Sequence, residues 1–169
     1  LYDLASITKI AATTLGIMKL YEEGRLDIYK FLGNYLPELR GSNKEFMAIR
    51  DVMAHRAGLF PWLPFYKETL VNDGNRTRPS ALIYDSKSSV NTIWNQIIQC
   101  QNLQSNDYKY SDLGFIMLRK AIENVVQEPM DRYLDGIFYK PMGLYTMTFR
   151  PLEKFPMKHL QEMQPVSYV

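Results

Sequence analysis

The chain has 169 residues, enough for one ordinary domain with a real core, and its make-up is globular: 46% hydrophobic, 22% charged and 13% aromatic. Twenty basic residues face eighteen acidic ones, mixed along the sequence, for a net charge of +2. No basic block exists beyond Arg76 and Arg78 in a polar loop, which argues against nucleic-acid binding. A single cysteine, Cys100, excludes an internal disulfide framework, and His55 and His159, far apart and without cysteine partners, argue against a structural zinc site. No apolar run approaches the roughly 18 residues needed to span a bilayer. The chain opens Leu-Tyr-Asp, without an initiator methionine, and reads as an excerpt.

Helical signals dominate. From Ser6 to Glu23, Ile10, Thr14, Ile17, Met18 and Tyr21 fall at helical spacing, and Gly24 is a stop signal. Phe31 to Leu39 is a short mixed stretch broken by Gly33 and Pro37, and the pattern predicts a second helix from about Glu45 to His55, closing at Gly58. Leu59 to Tyr66, with Pro61, Trp62 and Pro64, reads as an ordered loop, and residues 72–80 as an exposed, mobile excursion. A third helix is expected from about Ser89 to Gln101, a polar turn at Gln104–Asp107, and a buried helix from Leu113 to Val126. Met130 to Tyr139 is a further helix ended by Pro141 and Gly143, and Thr146 to Phe149 a candidate short strand. There are no internal repeats. The expected fold class is mainly α, one incomplete domain over residues 1–169.

Ser6-Ile7-Thr8-Lys9 is the first candidate for chemistry. As a bare pattern it is weak, because nine serines and eleven lysines produce roughly half such an occurrence by chance. Its context carries more. Spacing of i, i+3 at a helix start puts both side chains on one face. A lysine in the first turn is disfavoured by the helix dipole, by roughly 0.3–1 kcal/mol, and that field favours the neutral amine that a proton acceptor needs. Backbone N–H groups at the helix start could also stabilise an oxyanion. The plainer reading makes Ser6 a helix cap, although a cap prefers Glu or Gln three residues on.

Tyr110-Ser111-Asp112 is the second candidate. It sits between a polar turn and the buried helix, where a tyrosine and a carboxylate could face a cleft. The plainer reading is an anchoring core tyrosine with Asp112 as helix cap. The similar Tyr133-Leu134-Asp135 reads as the polar face of an ordinary helix.

Four segments in order resemble the serine β-lactamase and penicillin-binding-protein group that includes class C β-lactamases, DD-peptidases and esterases. They are Ser6-Ile7-Thr8-Lys9 with Glu23-Gly24-Arg25-Leu26-Asp27, His55-Arg56-Ala57-Gly58-Leu59, Tyr110-Ser111-Asp112-Leu113-Gly114, and Pro141-Met142-Gly143-Leu144. The resemblance implies the helical part of an α/β fold that lacks most of its flanking antiparallel sheet. It implies Ser6 as acylated nucleophile, Lys9 as holder or acceptor of its proton, Tyr110 as general base or relay, and a structural role for His55. The implied substrates are β-lactams, D-alanyl peptides or small esters, with no cofactor or metal, and the implied location is the bacterial periplasm or cell envelope.

Two features depart from the family pattern. Asp112 stands where the family has Asn, and its charge would raise the Lys9 pKa. The third family motif, Lys or His two residues before a glycine, is absent after Tyr110: Gly114, Gly136 and Gly143 follow Asp112, Leu134 and Pro141. The chain alone is therefore expected to be inactive. Alternatives are a penicillin-binding sensor without turnover, or a scaffold appended to a cell-wall glycosidase, which Pro61-Trp62-Leu63-Pro64-Phe65-Tyr66 faintly resembles. An apolar face bordered by Leu113–Val126, left without its sheet, is expected to promote self-association.

Overall fold

A computed structural model describes residues 2–65, 86–105 and 107–156. The excursion expected at 72–80, with Arg76 and Arg78, lies outside the described residues, as do Tyr66 and His159. The elements described are helical. A π-helical turn, Lys9–Thr14, runs into α1, Leu15–Glu22; then come α2, Leu32–Tyr35, the 3₁₀ turn Pro37–Leu39, and α3, Ile49–Met53. They are followed by α4, Ser86–Gln99, α5, Asp112–Val126, α6, Met130–Leu134, a π-helical turn Asp135–Tyr139, and α7, Pro151–Lys154. Among the described residues no strand is formed, and the strand expected at Thr146–Phe149 is absent; a strand needs a partner to take up its backbone groups. None of the described helices is long and apolar enough to cross a membrane.

The chain divides into two compact units, residues 1–28 with 118–169, and residues 29–117. In the first, α1 turns Gly16, Ile17 and Leu20 inward and leaves Met18, Tyr21 and Glu22 outside. Its end is a Schellman cap: Gly24 takes φ +67°, Arg25 N–H donates to Leu20 O at 2.9 Å, and Gly24 N–H to Tyr21 O at 3.0 Å. Glycine tolerates that left-handed φ, so the predicted stop signal works as expected. Ile17, Leu20, Leu26, Leu118, Ile122 and Leu134 form the core of this unit.

In the second unit, an antiparallel bridge pairs Phe31 with Ala48, flanked by Leu32 N–H to Met47 O at 2.8 Å and Ile49 N–H to Lys30 O at 3.0 Å. Residues 43–46 form a turn and the pairing holds Ala48 extended, so the helix expected from Glu45 begins only at Ile49. Leu32, Leu36, Ile49, Val52, Ile97 and Leu113 are buried in this unit. The helix expected at Ser89–Gln101 is α4, three residues earlier at its start.

The expectation that Leu113–Val126 is a buried helix holds, while the expectation that it borders an exposed apolar face needs correction. Leu113, Phe115, Met117, Leu118, Ala121 and Ile122 are all buried by the chain itself. Large exposed apolar side chains lie elsewhere, among them Tyr2, Ile7, Ile10, Met142 and Tyr145. The near-continuous apolar pattern of α5 records burial on several sides, not an unpartnered face.

Candidate active site

The Ser6 and Lys9 pair belongs to the first unit. Asp3 Oδ1 accepts the Ala5 N–H at 2.8 Å, and Ala5 takes φ +43°, a left-handed conformation that costs a non-glycine residue roughly 1–2 kcal/mol. The chain then closes tight turns, Ile7 N–H to Leu4 O at 2.9 Å and Lys9 N–H to Ser6 O at 3.1 Å, before the π-helical turn begins. Ser6 is thereby held exposed at the helix start, and Lys9 Nζ donates to Ser6 Oγ at 3.0 Å. The predicted i, i+3 juxtaposition is present. At this separation a neutral lysine could instead accept the serine proton without heavy-atom movement.

The helix behind the pair is braced at its irregular turn. Tyr139 Oη donates to Ala11 O at 2.8 Å, and Thr13 Oγ1 faces Met130 Sδ at 4.0 Å. A π-helical turn leaves its carbonyls poorly served by i+4 donors, and a tyrosine hydroxyl supplies one. Burial pushes the Tyr139 hydroxyl pKa up, and the Asp135 charge adds to it. A groove of about 610 Å³ runs along the Thr8, Ala11 and Ala12 side of this helix, with Tyr2, Leu144 and Phe149 among its walls; Ser6 and Lys9 do not line it.

Tyr110, Ser111 and Asp112 belong to the second unit, where residues 109–112 are laced to the segment after α3. Lys109 N–H donates to His55 O at 2.8 Å, Ser111 N–H to His55 Nδ1 at 3.1 Å, Ser111 Oγ to Phe60 O at 2.6 Å and Asp112 N–H to Pro61 O at 2.7 Å. Ser111 is buried, whereas Tyr110 is 41% exposed, its ring tilted 35° against the His55 ring with centroids 4.5 Å apart. Tyr110 is thus a surface residue on an ordered segment and not a core anchor. Asp112 is half-buried in the first turn of α5, where the helix dipole favours a carboxylate.

The structure therefore brings Ser6 to Lys9 and fixes Tyr110 beside Asp112 on the second unit. The sequence reading of Tyr133 needs correction: it is 6% exposed, inside the core, while Asp135 is paired with Lys140 at 2.7 Å. Burial likewise raises the Tyr133 hydroxyl pKa. The contact between His55 and Ser111 was not anticipated; the His-x-x-Gly-Leu spacing marked the loop but not its partner.

The β-lactamase family model matches residues 1–160, and the chain belongs to that family of serine β-lactamase and penicillin-binding-protein-like hydrolases. A Salmonella typhimurium protein with the provisional name D-alanyl-D-alanine carboxypeptidase is 33% identical over 163 residues, covering 91% of this chain and 35% of its own length. The chain thus spans about a third of the curated relatives it matches. Among solved structures, a class C β-lactamase from Rhodobacter sphaeroides superimposes with TM-score 0.63 at 18% identity, over 91% of this chain and 39% of its own. A β-lactamase/D-alanine carboxypeptidase from Yersinia pestis does so with TM-score 0.61 at 20% identity, over 87% of this chain and 40% of its own. These likenesses establish the fold.

Proposed function

We propose that the protein is a serine hydrolase in which Ser6 attacks an amide or ester carbonyl and passes through an acyl-enzyme. The observation that carries this reading is the 3.0 Å contact of Lys9 Nζ with Ser6 Oγ at a strained helix start. As Oγ bonds to the carbonyl carbon, its proton passes to Lys9, the base it touches, and the oxyanion draws on backbone N–H groups at the helix N-terminus; the role of Tyr110 as a proton-transfer group comes from the family resemblance alone. The tetrahedral intermediate then collapses, the C–N or C–O bond breaks, and the leaving group takes up the proton. Water attacks the acyl carbonyl in turn, with the same groups removing its proton, and frees Ser6. The names of the relatives favour D-alanyl peptides among the candidate substrates, ahead of β-lactams and small esters.

The second reading is a sensor that is acylated and does not turn over. The carboxylate at Asp112, where the family pattern has Asn, favours it. The proposal that this chain alone does not turn over substrate rests on its covering only 35% of the length of these relatives. Product release from a D-alanyl-D-alanine peptide and a chromogenic cephalosporin, measured on the full natural protein, separates the readings. Many turnovers per molecule establish the hydrolase; a single stoichiometric burst establishes the sensor.

A further inference from the structure

We infer that His55 is a positioning residue that holds Tyr110 through the backbone of Ser111 and the face of its own ring. The inference rests on the reading of Tyr110 as a proton-transfer group. His55 follows α3, whose cap residue Ala54 ends the helix, and it takes φ +57°. A helix that needed nothing more than an ending would place glycine there, since glycine adopts this conformation without the roughly 1–2 kcal/mol strain of other residues. The chain does use glycine three residues later, at Gly58, with φ +67°. A histidine in the strained position points to its side chain.

That side chain makes two kinds of contact with the Tyr110 segment. Nδ1 accepts the Ser111 N–H at 3.1 Å, which fixes the ring proton of neutral His55 on Nε2. Ser111 is 2% exposed, so without this acceptor its N–H would be buried without a partner. The imidazole face lies 4.5 Å from the Tyr110 ring, with Phe115 at 5.2 Å and Tyr108 at 6.1 Å around the same imidazole. The His55 carbonyl also takes the Lys109 N–H. Backbone on both sides of Tyr110 is therefore bonded to one residue, and the Tyr110 ring rests against the imidazole of that same residue. A general base must sit within hydrogen-bond reach of its proton, and displacement of about 1 Å can slow a reaction about 100-fold.

The test compares His55→Gly with His55→Asn in the full natural protein. Both accept the left-handed backbone and both remove the ring, but asparagine keeps an acceptor near the Nδ1 position. Two quantities are read: the rate constant of acylation by a penicillin at saturation, and hydrogen exchange at the Ser111 amide. His55→Gly is expected to lower the acylation rate constant about 100-fold and to speed exchange, while His55→Asn, which restores the acceptor but not the ring, recovers the slow exchange and part of the rate. Should His55→Gly not fold, His55→Gln, whose carbonyl reaches toward the Nε2 position instead, supplies the same contrast. Equal rates and equal exchange in the Gly (or Gln) and Asn variants would overturn the acceptor role. Tyr110→Phe run alongside separates the two layers. If it acylates normally, the reading of Tyr110 fails; if it is slow while His55→Gly is normal, the His55 inference alone fails.

Discussion

Lys44 Nζ donates to the backbone carbonyl of Cys100 at 2.7 Å, and also to Asn43 Oδ1 at 2.7 Å and Asn102 Oδ1 at 3.3 Å. The lysine is fully buried, and oxygen acceptors surround its ammonium. Lys44→Met removes the charge but strands those acceptors, so it is expected to destabilise by about 1–3 kcal/mol in denaturant unfolding. Burial lowers the Lys44 pKa from its usual 10.5, while Cys100 opposes the shift. The folded state thus releases this proton more readily than the unfolded state, and stability from this group rises with pH in the window below 10.5. The deficit of Lys44→Met should therefore widen as pH climbs toward that value. A constant deficit would show that burial does not bias the lysine.

Tyr139 gives the opposite slope. Its pKa is raised by burial, so its contribution is intact below the unfolded value of 10.0 and is lost as pH rises through the folded value. Tyr139→Phe forfeits the bond to Ala11 O and should cost about 1 kcal/mol at neutral pH. It should also flatten the alkaline decline expected in thermal unfolding. An unchanged melting temperature would mean that the π-helical turn satisfies Ala11 by other means.

Much of this was legible in residue order. The Ser6 to Lys9 spacing, the Gly24 stop and the apolar pattern of α5 are local signals, and local geometry honours them. What was not legible depends on distant partners. The bridge of Phe31 to Ala48 shortens the expected Glu45 helix, and the packing of Tyr133 reverses its polar-face reading. Likewise, Ser111 and His55 are separated by 56 positions, and no spacing rule pairs them.

Gly114 follows Tyr110 by four residues and packs where a Cβ would lie 2.8 Å from Val52 Cγ1 and 3.3 Å from Leu59 Cδ1. Gly114→Ala must push α5 or the Val52 side chain aside. We expect a loss of about 1–3 kcal/mol, read by chemical denaturation. A neutral result would mean that Val52 simply changes rotamer.

Asp112→Asn tests the departure from the family pattern. A carboxylate that takes part in the site favours the protonated form of whichever base accepts the serine proton, so its removal makes the neutral base available at lower pH. The acid limb of the acylation rate profile should then move to lower pH. An unmoved profile would make Asp112 a cap for α5 and no part of the site.

The most direct test of the central claim is where an acyl group lands. The full natural protein, treated with a penicillin or a fluorophosphonate and digested, is analysed by peptide mass spectrometry. The account predicts one adduct, on Ser6, that disappears in Ser6→Ala and forms slowly in Lys9→Ala. An adduct on another serine, or labelling that survives Ser6→Ala, would contradict it.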